Sequence, residues 1–400
     1  MDKVTYILIC HFGLEKVLKA EVRRLGLEII EVTDGEVKAV GNVKDIPRLN
    51  LMLRTSERVM IEVANFEATT FEELFQGTFN SKIEKYVPVN GKFIITKANQ
   101  DKNSILHSSR STQSIVKKAM VERLMKAYNT DLLSENGETY PFRVKFNKNI
   151  VSIRLDTTGT DSLHKRGYRK EAGLAPIEET LAAALISLTE YKGGTYFIDP
   201  FCGSGTFLIE AASIGHNICL SKDRDFISKN FKNELVGKDF NKFWEEAYKE
   251  IKEKEEERHN KIVENGNDKG IRLIGFDIDK EVIKIAKENA KRAGVQDLIH
   301  FEVGDIKDLK DNINKVIIGI EFDDKDKGII ITNPPYGERL EEKENLPKLY
   351  KMMKKSFDDI TNVKKYIITG YEDAEKYLGK ANKNRKIYNG MIKSYFLEYE

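Results

Sequence analysis

The sequence predicts an α/β protein with a ferredoxin-like start, a second mixed α/β unit, and a Rossmann-like parallel sheet that finishes in an antiparallel hairpin. Three observations carry that reading. Residues 1–67 run strand, helix, strand, strand, helix, strand. From about residue 176, apolar strands alternate with amphipathic helices. The tail RKIYNGMIKSYFLEYE is two alternating strands around Asn389-Gly390.

VTYILIC (4–10) is an apolar strand, and Gly13–Leu25 carries Leu14, Val17, Leu18, Val22 and Leu25 at helical spacing. LEIIEV and EVKAV flank Asp34-Gly35, a hairpin signal. Asp45–Leu53 is a short helix and RVMIEVANF closes the split β-α-β-β-α-β unit. In residues 68–157, KFIITKA (92–98) is a strand, and FRVKF and IVSIRLD form a hairpin around Asn147–Asn149. Thr112–Tyr128 is an amphipathic helix bearing Lys117, Lys118, Arg123 and Lys126. Residues 158–175 lack apolar periodicity and read as a linker. Residues 176–400 form the last domain. Pro176 opens a helix through Tyr191. Strands follow at TYFID (195–199), RLIGFDID (272–279), LIHFEVGD (298–305), GIIITN (328–333) and KYIITG (365–370), with helices between them. Such alternation calls for a parallel sheet covered on both faces. Residues 221–270 interrupt it; EEAYKEIKEKEEERHNK reads as a charged, solvated helical insertion.

Hydrophobic residues make up 40% of the chain and charged residues 32%, enough for packed cores under a soluble surface. No apolar run approaches the ~20 residues of a membrane helix. The amphipathic start is not a signal peptide. Cys10, Cys202 and Cys219 give neither a disulfide framework nor a zinc pattern, so a reducing cytoplasm and no metal are expected. The net charge of +2 conceals a division, with residues 1–170 at +7 and 171–400 at −5. Basic residues outnumber acidic ones ten to three in 82–126 and eight to two in 143–170. A basic surface of this kind is a footprint for phosphate backbones.

The chemistry sits at successive strand ends. In DPFCGSGT (199–206), Gly203 and Gly205 let backbone approach a ligand, and helix-start amides favour polar or anionic groups. Asp199 can accept from an ammonium. In GFDID, Asp277 can accept from both hydroxyls of a ribose, while Asp279 suits a helix N-cap. In VGDI, Asp305 can reach an adenine amino group with Ile306 packed on the ring, or simply serve a turn. DPFCGSGT resembles motif I of methyltransferases that use S-adenosylmethionine (SAM). Phe201, Thr206 and Ile278 lie in the same strings and complete the expected cofactor set, which Asn333 joins from the next strand end.

NPPYGERL (333–340) resembles motif IV of amino-methyltransferases. An exocyclic base amine is a poor nucleophile because its lone pair is delocalised into the ring. The Asn333 side-chain oxygen and the Pro334 carbonyl can both accept from that amine and favour pyramidal geometry. Pro334 and Pro335 stiffen the loop so that the acceptors are already aimed. Tyr336 offers a ring for stacking a flipped base, worth roughly 1–3 kcal/mol against the cost of extraction. No general base is required. Cys202 lies in the cofactor loop and NPPY has no cysteine, which argues against C5 methylation through a covalent Cys.

Taken together, the chain resembles the THUMP-domain class I RNA methyltransferases, and most closely the bacterial 23S rRNA guanine-N2 methyltransferase family. The resemblance covers essentially the whole chain, with LHKRGYR (163–169) and NPPYGERL as its specific part. It implies that Asp199, Gly203, Asp277 and Asp305 hold SAM, and that Asn333, Pro334 and Tyr336 handle the base. It also implies a THUMP region at 68–157 that grips RNA. Lys117, Lys118 and Arg123 are the expected contacts there. Arg166, Tyr168 and Arg169 would lie near the cofactor or the RNA entrance, or else tie the linker down. Because the chain stops after its hairpin, one activity is expected. Guanine N2 of tRNA or adenine N6 of RNA or DNA would use the same chemistry. A non-catalytic RNA-binding or ribosome assembly factor is the other class.

Overall fold

The structure, a computed structural model, describes residues 3–170, 177–264, 272–317, 328–337, 344–390 and 392–400. Contacts divide the chain into two units. One holds Met1–Cys10, Leu18–Leu163 and Arg224–Lys249; the other holds His11–Val17, His164–Asp223 and Glu250–Glu400.

The N-terminal unit is built on one seven-stranded sheet. Its elements are β1 (Lys3–Ile9), α1 (Glu15–Arg24), β2 (Glu28–Thr33), β3 (Glu36–Asn42), α2 (Asp45–Met52), β4 (Arg58–Glu67), α3 (Phe71–Asn80), β5 (Lys92–Asn99), α4 (Ser109–Tyr128), β6 (Thr139–Asn147) and β7 (Ile150–Asp156). The strand order is β2-β3-β1-β4-β7-β6-β5. The first four strands are in ferredoxin-like order. The turns form where the sequence signalled them: Gly35 has φ +74°, and Lys148 and Asn149 have φ +50° and +66°, as a tight hairpin needs.

Residues 1–67 and 68–157, expected as separate domains, share this sheet. Strand β4 pairs with β7 from Met60↔Asp156 to Glu67↔Ile150. A free β4 edge would leave a row of unpaired backbone groups, and β7 covers it. Carboxylates on the sheet also absorb much of the sequence's positive charge. Glu36 holds Arg154 at 2.7 Å and Lys145 at 2.8 Å, and Asp156 holds Arg58 at 2.7 Å and Arg143 at 3.0 Å.

The insertion departs from expectation. Residues 224–249 pack into the N-terminal unit. Phe231 stacks on Tyr140 at 5.0 Å, the Lys232 amide donates to the Tyr140 hydroxyl at 3.0 Å, and Asn233 donates to the Tyr86 carbonyl at 2.7 Å. Its helix, α7 (Phe240–Glu264), is not solvated all round, because Phe240, Trp244, Ala247 and Ile251 are buried. Their 4-3-4 spacing is one helical face, masked in sequence by the density of Glu and Lys around it.

The C-terminal unit adds α5 (Glu179–Leu188), β8 (Phe197–Asp199), α6 (Thr206–His216), β9 (Leu273–Asp277), α8 (Lys280–Arg292), β10 (Ile299–Val303), α9 (Leu309–Val316) and β11 (Gly328–Thr332). It continues with α10 (Leu346–Asp358), β12 (Val363–Thr369), α11 (Ala374–Leu378), β13 (Lys383–Asn389) and β14 (Ile392–Tyr399). The sheet order is β10-β9-β8-β11-β12-β14-β13, parallel through β12 with β14 antiparallel. One apolar cluster on this sheet includes Leu181, Leu208, Ile283 and Phe301, and another includes Ile313, Tyr350, Met353 and Phe357. Pro176, and Glu338 to Leu340 of NPPYGERL, lie outside the described residues. Among the described residues no helix is long and apolar enough to cross a membrane.

Candidate active site

Strand order reverses at β8, and ligands of open α/β sheets bind at the carboxyl ends beside such a point. Asp199 ends β8, is 2% exposed, and accepts from the Thr332 hydroxyl at 2.7 Å and the Phe201 amide at 3.1 Å, both on Oδ1. Burial pushes its carboxyl up to about 7. Thr332 is the last residue of β11, so this bond ties the cofactor loop to the strand that presents Asn333.

The following loop is held open by its neighbours. The Asp277 Oδ2 accepts from the Gly203 amide at 3.1 Å, and its Oδ1 accepts from the Asp279 amide at 3.0 Å. Burial raises the Asp277 carboxyl above the usual carboxylate range. The two loop glycines have different reasons to be glycine. Gly203 sits at φ +52° with open space where a side chain would project, room for a ligand. Gly205 sits at φ +83°, and a Cβ there would lie 2.9 Å from Phe301, so it is needed for helix–sheet packing. Thr206 is buried at the start of α6, its hydroxyl 3.2 Å from that of Ser204. Asn289, fully buried on α8, donates to the Ser204 carbonyl at 3.0 Å and fixes the loop from beneath. Nothing local in the sequence distinguished it from any other helix Asn.

Asp279 caps α8, accepting from the Glu281 amide at 2.8 Å, as expected. Asp305 accepts from the Lys307 amide at 3.1 Å and also lies 3.3 Å from the Lys307 ammonium. Ile306 is not available to a ligand ring, because it is 5% exposed and spent on the core around Phe276 and Ile313. The exposed apolar side chains at these strand ends are Ile278 (71%) and Val303 (47%).

At the end of β11, Asn333 is partly buried, Pro334 buried and Pro335 exposed. The Asn333 Oδ1 is buried with no hydrogen-bond partner among the described residues. Leaving such an acceptor unmade costs about 1–3 kcal/mol, so Asn333 offers an acceptor that no described residue satisfies. The loop is supported from behind by Tyr350 of α10, whose hydroxyl lies 3.4 Å from the Pro335 carbonyl and 2.6 Å from the Thr369 hydroxyl. The Tyr336 ring lies across Gly370, where an added Cβ would come within 3.2 Å of it.

Two expected RNA contacts are placed elsewhere. Arg166 is 5% exposed and pairs with the fully buried Glu210 of α6 at 3.4 Å, with the Tyr168 hydroxyl 3.3 Å from the same carboxylate. Arg169 pairs with Glu179 at 2.9 Å and donates to the Ile177 carbonyl. Burying a guanidinium demands a carboxylate partner, and the buried Glu residues of α5 and α6 provide one. Of the segment read as a linker, residues 164–170 therefore belong to the C-terminal unit. On the N-terminal unit, Lys117 and Lys118 are exposed, 5.8 and 5.7 Å from the Phe93 and Phe75 rings. Arg123 is instead held by Glu84.

This sheet order and these strand-end loops define a class I methyltransferase. The chain belongs to the UPF0020 family, RMKL-like methyltransferase domain, whose model matches residues 166–396; residues 5–60 match the RlmL ferredoxin-like domain. It is 41% identical to the Bacillus subtilis (strain 168) protein named "Putative RNA methyltransferase YpsC", over all of this chain and 96% of that one. It is 31% identical to "Ribosomal RNA large subunit methyltransferase K/L" of Buchnera aphidicola, over 85% of this chain but only 46% of that protein. The chain thus spans about half the length of the K/L relatives. Among solved structures, a "possible methylase" from Clostridium difficile 630 superposes with TM-score 0.88 at 43% identity, covering 100% of this chain and 98% of that one. SMU.472, crystallised with SAH, superposes with TM-score 0.83 at 33% identity, covering 100% and 98%. SAM is the cofactor of this methyltransferase. The chain's residues fit it: an open cradle at Gly203, carboxylates at Asp199 and Asp277, and exposed apolar side chains at Ile278 and Val303.

Proposed function

We propose that this protein methylates an exocyclic base amine in RNA, namely guanine N2 of 23S rRNA, in the cytoplasm. The Asn333 Oδ1 at the tip of β11, buried and without a hydrogen-bond partner among the described residues, carries the reading. SAM supplies an electrophilic methyl group on a sulfonium. Asn333 Oδ1 and the Pro334 carbonyl accept hydrogen bonds from the base NH2, which draws its lone pair out of conjugation and aims it; as the N–CH3 bond forms and the S–CH3 bond breaks, one amine proton is released to solvent. Tyr336 stacks the extracted base. Asp199 holds the ammonium of the cofactor and Asp277 its ribose. The names of the YpsC and K/L relatives support RNA, and ribosomal RNA in particular. Nucleoside mass spectrometry of ribosomal and transfer RNA from cells lacking the gene tests this. Loss of N2-methylguanosine from 23S rRNA is expected. Loss of N6-methyladenosine instead would reassign the base, and loss confined to tRNA would reassign the substrate.

Gly370 supports the same reading, because any side chain there meets the Tyr336 ring and Ile392. Its backbone is not left-handed, so Gly370→Ala tests packing against Tyr336 and Ile392 without backbone strain. Turnover should fall roughly 10- to 100-fold with SAM affinity kept. Parent-like turnover would remove Tyr336 from base handling. For the N-terminal unit, Lys117→Gln with Lys118→Gln should reduce the slope of log affinity against log salt by about 1.4 to 1.8 for RNA. An unaltered slope would mean this helix face does not meet phosphate.

A further inference from the structure

The outer end of the β13–β14 hairpin carries a pattern that the catalytic loops do not use. Lys386 sits opposite Tyr395 and Tyr388 opposite Lys393 in the antiparallel register. Within each strand, the Lys386 ammonium lies 5.4 Å from the Tyr388 ring and the Lys393 ammonium 5.1 Å from the Tyr395 ring. Two lysines and two tyrosines therefore alternate in a checkerboard on one face. The other face, through Ile387, Ser394 and Phe396, is buried. Both lysines are exposed and both tyrosines partly so. Phe12, 53% exposed, meets Tyr388 edge-on at 6.4 Å and extends the aromatic surface. Lys393 is balanced by Glu372 at 2.9 Å, whereas Lys386 has no carboxylate partner among the described ion pairs.

The hairpin shares an end of the sheet with the catalytic corner. Thr369, the last residue of β12, pairs with Tyr395 of β14, and Tyr395 pairs with Lys386 of β13. From the end of β12 to Lys386 is therefore two strand spacings, about 10 Å. That is the reach of a few nucleotides.

We infer that this face is an RNA contact that grips the nucleotides flanking the target base, stacking a base on Tyr388 and Phe12 and holding its phosphate with Lys386. Exposed aromatics interleaved with cations suit unpaired nucleic acid, since every base has a π-face and every linkage a charge. The cation sits on a unit whose sequence is otherwise net acidic, so its position is local. This rests on the RNA reading above.

The test uses the full-length protein with SAH and a short unstructured RNA oligonucleotide, followed by fluorescence anisotropy across a salt series. Tyr388→Ala should weaken RNA binding by roughly 5- to 100-fold. Lys386→Gln should lower the salt slope by about 0.7 to 0.9. SAH affinity should stay unchanged in both, which also reports that the variants are folded. If the parent binds RNA and both variants match it in affinity and slope, this inference fails while the RNA reading stands. If the parent binds no RNA, both fall. Association of parent copies through this face, abolished by Tyr388→Ala, would give the surface to a second copy of the chain and overturn the assignment.

Discussion

Asn333→Ala is expected to slow methyl transfer by about 100-fold or more while leaving SAM affinity near that of the parent. The side-chain oxygen is buried and makes no hydrogen bond among the described residues, so removing it breaks no bond to any of them. It should even relieve the cost of an unmade bond, and thermal stability should hold or rise slightly. What is lost is an acceptor whose value appears when the amine begins to pyramidalise. That is a transition-state interaction, so kcat should fall with little change in KM for SAM. Single-turnover kinetics with isothermal titration of SAM separates the two effects. A variant as fast as the parent would end the role assigned to Asn333. Asn333→Asp adds discrimination: its carboxylate still accepts, so it should retain more activity than the alanine variant.

The strand-end positions of these residues were legible in the sequence because their types are constrained by chemistry. A proline pair at a buried strand tip has few structural excuses, and so has an aspartate closing each of two neighbouring strands, β8 and β9. The turns at Asp34-Gly35 and Asn389-Gly390 were legible for a similar reason, since positive φ narrows the choice of residue. What stayed hidden depends on partners far away in sequence. Arg166 and Arg169 read as RNA contacts because charge alone does not reveal that Glu210 and Glu179 are buried beside them. Arg143, Lys145 and Arg154 inflated the basic count in the same way, each meeting a sheet carboxylate. The continuous N-terminal sheet was missed because strand edges pair through backbone, which sequence patterning does not label. The buried face of α7 was visible in principle, but its apolar residues were outnumbered by charge. Gly205 and Gly203 look alike in the string, and only Phe301 tells them apart.

The Asp199 carboxyl should make SAM binding depend on pH near neutrality. Burial lifts it to about 7, against the lowering effects of the Thr332 hydroxyl and the Phe201 amide, so protonated and ionised forms coexist near pH 7. Only the carboxylate attracts the cofactor's ammonium. Affinity should therefore tighten by up to about tenfold per pH unit below 7 and level off above it. Stability of the cofactor-free protein runs the other way. With the folded value raised above the unfolded one, this group's contribution is fully present below about pH 4 and is lost as pH rises through 7. Cofactor binding offsets that loss. Asp199→Asn should weaken SAM binding by roughly 100-fold at pH 8 and flatten the profile, because the ammonium then meets a neutral amide. Thr332→Val sharpens the test. Its hydroxyl donates to the carboxylate and helps keep it ionised, so its removal should move the midpoint of the affinity profile to higher pH without abolishing it. Titration calorimetry at half-unit steps from pH 6 to 8.5 would show both effects. A flat parent profile would place the ammonium away from Asp199, and an Asp199→Asn variant with parent affinity would mean the buried carboxylate serves only to tie β8 to β11 through Thr332.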